Sequence, residues 1–456
     1  MFIMKFGGTS VGSAANHRVA RELVRTRLEQ RPIVVVSALA GVTNRLVEYA
    51  RMPAQRGAIA AEIVRRHREL ASELEIAPLE IAPALDAWEA VHARFAANAA
   101  ALHGADADEV LGFGEWLSAV LFAAGLRAQG IEAIALRAGD AGLVTDEHFG
   151  AAHPLPESAR LLRERLEPLR QVPVITGFLG RTLDGRTTTL GRGGSDYSAA
   201  ILGAALAATR IEIWTDTSGL LSADPRIVPE ARPVPRLSFA EASELAYFGA
   251  KVLHPKTLLP AIEHDIPVAV LNTARPGDPG SLITPAADPA ESAWRVKSIA
   301  SKSGISAVTI ASTRMLLAHG FLARVFEVFG RHRIVVDLVT TSEVSISVTL
   351  DDPSRLPEAL PELEAIGRVE VRHGLAVVAV VGEGAPRRVG LPGHVFTLLG
   401  GVGIGIEMIS QGASRVNLSF VVAEEDADRA VRLLHRGLGL DADVATDAAR
   451  AGVAKA

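Results

Sequence analysis

FIMKFGGTSVGSAANHRVARELVRTRLEQRPIVVV, residues 2–36, sets an apolar run, a Gly-Gly turn, a helical pattern and a second apolar run in succession. The run Ile33–Val36 has no polar alternation, so it reads as a strand buried on both faces, while Asn16–Gln30 carries helical periodicity. The rhythm continues outward. Glu132–Leu136, Val172–Thr176, Ile211–Trp214 and Val268–Leu271 read as further buried strands, and Ser195–Ala207 as a helix. Strands alternating with helices predict an α/β sandwich with a largely parallel sheet. The Pro- and Gly-rich stretch Asn272–Ser292 reads as the exit from this first domain.

Beyond Ser298 the pattern becomes an internal repeat. Val325-Phe326, Gly330, Ile334 and Asp337-Leu338-Val339 return as Val395-Phe396, Gly400, Ile404 and Glu407-Met408-Ile409. The strand-like Ser345–Val348 and Asn417–Phe420 follow in each copy, so the repeat predicts two ferredoxin-like βαββαβ modules. The expected domains are 1–285, 300–375 and 376–445, with strands free to interleave between the last two.

Composition narrows the function. The 456 residues carry 47 basic and 52 acidic side chains, a net charge of −5, which argues against nucleic acid or an anionic membrane as the main partner. With no cysteine, disulfides, thiol catalysis and Cys-ligated metal are excluded. The N-terminal apolar run is interrupted by Lys5 and is too short for a signal peptide. No run of about 20 apolar residues escapes a charge or a breaker, so a cytoplasmic chain is expected. Among the 47 basic residues only six are lysine: Lys5, Lys251, Lys256, Lys297, Lys302 and Lys455. A lysine kept in so arginine-rich a chain marks a place where a compact point charge fits and a planar fork does not; survival without function is the alternative for the last four.

Phosphate-binding signatures of the Gly-Lys and G-x-G-x-x-G types are absent, so an anion site needs another design. K-F-G-G-T-S, Lys5–Ser10, supplies one: Gly7 and Gly8 let amides approach an anion, Thr9 and Ser10 can cap the next helix, and Lys5 adds charge. A second turn, G-R-G-G-S-D at 191–196, opens a helix and places Gly193, Gly194 and the Ser195 amide at its N-terminus; Asp196 could be only its cap and Arg192 only a surface charge. Glu115 lies in EVLGFGEWLSAVLFAAGL, a helix apolar nearly all round. A carboxylate buried there needs a cation, either a structural arginine or a substrate ammonium. Strand ends add Ser37, Thr43, Thr215, Asp216, Asp224 and Arg226, where open α/β sheets place ligands.

Taken in order, K-F-G-G-T-S, S-A-L-A-G-V-T-N, G-F-G-E, G-R-G-G-S-D, W-T-D-T-S-G, D-P-R and S-E-L-A-Y-F-G-A-K-V-L-H-P resemble the aspartate kinases. The tail segments G-F-L-A-R-V-F, V-D-L-V-T-T-S-E and I-S-Q-G-A-S resemble their paired ACT modules. The resemblance implies a three-layer α/β/α amino-acid-kinase fold and transfer of the ATP γ-phosphate to the β-carboxylate of L-aspartate, with Mg²⁺. It implies catalytic roles for Lys5, Gly7, Gly8 and Asp196, and an aspartate pocket of Ser37, Thr43, Glu115, Arg192, Gly193, Gly194 and Ser195. Lys5, Phe6, Gly7, Gly8, Thr215, Asp216, Leu221, Arg226, Lys251 and Val252 would face ATP. Met315, Ala318, Gly320, Phe321, Leu322, Val336, Asp337, Ser342 and Glu343 would form an amino-acid effector site of the lysine-sensitive kind, on a homodimer or dimer of dimers joined through the ACT modules. Leu221 stands where many relatives carry tyrosine, and Val335 where lysine-sensitive ones often carry serine. A non-catalytic amino-acid sensor and a kinase for another acidic amino acid are the other readings; intact Lys5, Glu115, Arg192 and Asp196 oppose the first.

Overall fold

The computed structural model describes residues 1–248, 255–286, 294–315, 319–411 and 416–441. Ten strands build the first unit: β1 (Phe2–Phe6), β2 (Pro32–Val36), β3 (Ala133–Leu136), β4 (Val172–Thr176), β5 (Leu179–Arg181), β6 (Thr187–Thr189), β7 (Ile211–Thr215), β8 (Arg236–Ser238), β9 (Val268–Asn272) and β10 (Ser281–Thr284). Eight form one sheet in the order β3-β4-β2-β1-β7-β9-β10-β8, parallel from β3 to β9, with β10 antiparallel to β9; β5 and β6 make a separate hairpin. Every residue of β1, β2 and β4 is buried. Helices cover both faces, which is why these strands carry unbroken apolar runs. Each fully buried Val, Ile or Phe there contributes about 1.5–3 kcal/mol.

Register fixes where function can gather. Lys5 sits beside Val35 and Ile213, Phe6 beside Val36 and Trp214, and Val36 beside Thr176. The chain therefore leaves β1, β2, β4 and β7 at one edge, through Gly7, Ser37, Gly177 and Asp216. The helices covering the sheet include Phe113–Arg127, buried from Phe113 to Leu126 except for half-buried Trp116. With the preceding helix, Gly104–Leu111, it makes a stretch, Gly104–Arg127, long and apolar enough to cross a membrane, yet 83% of its most apolar window is packed inside the protein. It is a core helix.

The expected capping of the first helix by Thr9 and Ser10 is corrected. Gly8–Val11 is a single helical turn containing both residues, and the longer helix Ala14–Arg25 is capped by Ser13, whose hydroxyl accepts from the Asn16 N–H. Ser10 instead donates to the Trp214 carbonyl at 3.0 Å and pairs with the Thr273 hydroxyl at 2.7 Å, tying the turn to β7.

The second unit contains Leu221–Val234, 240–248 and the described residues from 294 to 441, while the first holds Met1–Leu220, Pro235–Phe239 and 255–286. Its sheet consists of β11 (Ser298–Ala311), β12 (Val339–Thr341), β13 (Ser345–Leu350), β14 (Arg368–Val381), β15 (Met408–Ser410) and β16 (Asn417–Ala423), in the order β12-β13-β11-β14-β16-β15. Strands β11 and β14 run antiparallel over both modules, with a register break between Lys302 and Ile305. Thus the later half of β11 opens the first module, while its earlier half supplies the fourth strand of the second. The modules interleave: the second is completed by chain that precedes the first. The segment Leu221–Val234 adds to this unit, with Ser222 bonded to the β11 backbone at Ile299 and to His435 Nε2 at 2.9 Å.

Candidate active site

Two glycine turns and one buried acid converge at the sheet edge. Lys5 Nζ lies 2.6 Å from Asp196 Oδ1, and the two side chains are only 9% and 13% exposed. Asp196 is therefore not the helix cap: Gly194–Ala205 has no side-chain cap, and its Asp196 and Tyr197 amides donate to the Gly193 carbonyl. Gly193 adopts φ +71°, which glycine supplies without strain. The first-turn amide of Ser195 has no acceptor one turn earlier in the helix.

Backbones approach closely around this pair. A Cβ on Gly8 would lie 2.7 Å from the Ala38 carbonyl, and one on Gly177 would lie 2.6 Å from Ser195 Cβ. These contacts lock the β1, β2 and β4 exits to both glycine turns. Gly8 and Thr9 open the turn after β1, so their amides also lack helical acceptors.

Glu115 is 3% exposed, and its Oε1 accepts the Ala38 N–H at 3.1 Å. No arginine pairs with it among the described residues, so the structural-arginine reading is set aside. Burial pushes its carboxyl up to about 8, against the pull of the Ala38 N–H and the Lys5 charge. The second oxygen, Oε2, is buried without a hydrogen bond. Such a group is poised to accept a cation that brings its own hydrogen bonds.

A largely buried lysine–aspartate pair and a half-bonded buried acid beside two glycine turns are the makings of an enzyme site. Residues 1–272 match the amino acid kinase family and residues 378–438 match the ACT domain. Aspartokinase 1, chloroplastic, of Arabidopsis thaliana is 39% identical over 95% of this chain and 79% of its own length. Lysine-sensitive aspartokinase 3 of Escherichia coli strain K12 is 39% identical over 96% of this chain and 98% of its own. The chain belongs to the aspartokinase family. The crystal structure of E. coli aspartokinase III in complex with aspartate and ADP superposes with a TM-score of 0.81 at 37% identity, covering 96% of this chain and 99% of that one. Like these aspartokinases, the protein is an ATP-dependent aspartate kinase with ACT modules.

Of the residues singled out in the sequence, Lys5, Gly7, Gly8, Glu115 and Gly193–Asp196 gather at this edge of the aspartokinase sheet. Ser37 and Thr43 follow β2, half-buried, and Arg192 is exposed with no ion-pair partner among the described residues. Thr215 closes β7, and its hydroxyl donates to Asp216 at 3.2 Å. Leu221 and Arg226 fall in the second unit, where Arg226 pairs with Asp224 of its own loop (Nε–Oδ1 3.0 Å). Lys251, Val252 and Ala318 lie outside the described residues.

Sequence reasoning missed the residues that hold the site rather than form it. Gly114 is one: a Cβ there would meet Ala38 Cβ at 2.8 Å, beside the amide that binds Glu115. The second glycine of G-F-G-E was its only signal. Asp108 is another; it takes the Thr189 amide at 2.7 Å and the Gly150 amide at 2.9 Å. Nothing in its own sequence neighbourhood marks it.

Proposed function

We propose that the protein transfers the γ-phosphate of ATP to the β-carboxylate of L-aspartate, giving 4-phospho-L-aspartate and ADP, under feedback by lysine. The observation that carries the reading is the pairing of Lys5 with Asp196 beside a partnerless Glu115 oxygen. A β-carboxylate is ionised at neutral pH, so the reaction needs no general base; positioning and charge neutralisation supply the catalysis. In this reading Lys5 and the Gly7–Gly8 backbone meet the transferring phosphoryl group. Glu115 and Asp196 hold the α-ammonium, Arg192 grips the α-carboxylate as a fork, and Ser37, Thr43, Gly193, Gly194 and Ser195 complete the pocket. Thr215, Asp216, Leu221, Arg226, Lys251, Val252 and Phe6 face the nucleotide.

The donor set fits a Mg²⁺ held chiefly by nucleotide oxygens and water. Asp196 is already bonded to Lys5 and Glu115 resists ionisation, so neither of these two carboxyls stands free as a ligand for the ion. When bound, Mg²⁺ would neutralise phosphate charge.

Control is read from the repeat. Asp337 and Glu407 hold equivalent places, their amides donating to Thr349 and Val421. Glu407 pairs with Arg372 (Nη2–Oε1 2.9 Å), whereas Asp337 has no cationic partner among the described residues. That asymmetry favours the first module as the seat of a lysine ammonium, with exposed Ser342 and Glu343 nearby in sequence. Met315 and Val336 border its core, and the first amides of the helix Phe321–Arg331, after Gly320, suit the ligand carboxylate, with Phe321 itself in the core and Leu322 outside. We further propose kinase residues 1–285, ACT modules 300–375 and 376–445, and dimerisation through the ACT sheets.

The test is a coupled assay of ADP release with a panel of acidic amino acids, run on the wild type and on Arg192→Ala. Aspartate alone should support turnover, and the variant should raise KM for aspartate far more than for ATP. Turnover with glutamate instead, or an equal change in both KM values, overturns the assignment.

A further inference from the structure

We propose that Asp146, His148 and His153 form a binding site for a divalent transition-metal ion of the zinc class, clamping the loop that backs the Gly191–Asp196 turn. It lies outside the active site described above. His148 Nδ1 and His153 Nδ1 stand 2.9 Å and 3.2 Å from the same carboxylate oxygen, Asp146 Oδ2. The three ligand atoms lie within 4.8 Å of one another. A tetrahedral ion with metal–ligand distances of about 2.0–2.1 Å requires neighbouring ligand atoms about 3.4 Å apart. Two of the three spacings already approach that value.

The carboxylate is held for this task. Asp146 Oδ1 accepts the backbone N–H groups of His148 at 3.2 Å and His153 at 3.0 Å, which turns Oδ2 toward the two rings. The Asp146 amide donates to the His153 carbonyl at 3.0 Å, closing the loop on itself. Since a carboxylate only accepts, each ring shares its Nδ1 hydrogen with Oδ2. A metal ion would take the place of those hydrogens. For neutral rings the proton moves to Nε2, so Nδ1 gains its lone pair without loss of a proton from the ring. The imidazole side chains are 77% and 51% exposed, which leaves an entry path and room for water as the fourth ligand.

The loop has a mechanical link to the substrate side. Its Ala152 amide donates to Thr189 at the end of β6, its Gly150 amide donates to buried Asp108, and the Gly150 carbonyl lies 3.2 Å from where a Cβ on Gly191 would stand. Two imidazoles and a carboxylate suit zinc, cobalt or nickel; Mg²⁺ prefers oxygen donors throughout.

Metal-stripped full-length protein is titrated with Zn²⁺ by calorimetry and with Co²⁺ by visible spectroscopy. We expect one high-affinity ion per chain, a tetrahedral Co²⁺ absorption, and a Tm that rises with Zn²⁺. His148→Ala and His153→Ala should each weaken binding by about 10–100-fold, the double variant should lose the Tm rise, and all should keep basal kinase activity. Unchanged affinity in the double variant overturns the site, as does the absence of a one-ion isotherm at micromolar Zn²⁺. Because binding and Tm are read without turnover, failure of the aspartate assignment would leave this result intact.

Discussion

Lys5 pairs with Asp196 at 2.6 Å, and in the proposed reaction it would also meet the transferring phosphoryl group. Only a compact charge on a slim stem serves both, so Lys5→Arg should lower kcat nearly as far as Lys5→Ala, on the order of 10²–10³-fold. Steady-state kinetics of the two variants check this; an arginine variant with most of its kcat would remove Lys5 from the phosphoryl group. The lysine economy of the chain made this residue legible, and it pointed elsewhere too. Lys297 is a buried partner of Glu241 at 2.8 Å, and Lys302 pairs with Asp351, so these two lysines hold ion pairs rather than float on the surface. The apolar helix around Glu115 announced its burial, but not that burial outweighs the pull of the Ala38 N–H and the Lys5 charge. With its folded pKa near 8, above the ordinary 4.5, folding binds a proton between those values. Stability contributed by this group is therefore full below about 4.5 and lost as pH rises through about 8. An ammonium ligand needs the ionised form, so kcat/KM for aspartate should climb toward pH 8, by up to about tenfold per unit. Glu115→Gln should flatten both the Tm slope and the kinetic slope across pH 6–8; a wild-type profile that is already flat would refute the ammonium role.

Elements were legible where they are buried on both faces. Runs such as Val172–Thr176 declare a central parallel strand, because no solvent face interrupts the apolar pattern. The short β5, β6, β8 and β10 do not, since three or four residues with polar members are strands only by virtue of their neighbours. Contacts between element ends are less legible still. Gly177, at the exit of β4, matters because Ser195 at a helix start leaves no room for a side chain, and the two meet only in the fold. Gly177→Ala should push the helix start outward, cost about 1–3 kcal/mol of stability and raise KM for aspartate. Gly57→Ala, where a Cβ meets nothing within 4 Å, should be neutral or stabilise by up to about 1 kcal/mol. Thermal melts and aspartate kinetics on the pair check the contrast; similar behaviour would mean that the β4 exit tolerates displacement.

At the scale of the whole chain, the repeat announced two ferredoxin-like modules but could not show how they share strands. Pairing of β11 with β14 joins residues some seventy positions apart, and no local pattern records it. The same repeat isolates a difference between the modules, since Asp337 and Glu407 occupy matching places with different partners. Burial and the neighbouring Asp351 carboxyl push Asp337 up to about 7. An effector ammonium pairs with the ionised form, which grows as pH rises through 7. Lysine should therefore inhibit, and its half-inhibiting concentration should fall several-fold between pH 6 and pH 8. Asp337→Ala should relieve inhibition, leave uninhibited turnover largely intact and erase the pH dependence; Asp337→Asn should keep the fold while weakening lysine at every pH. Inhibition curves in lysine and in threonine for these variants make the measurement. Suppression by threonine with indifference to millimolar lysine would move the effector to another chemistry and leave the Asp337 asymmetry without a ligand.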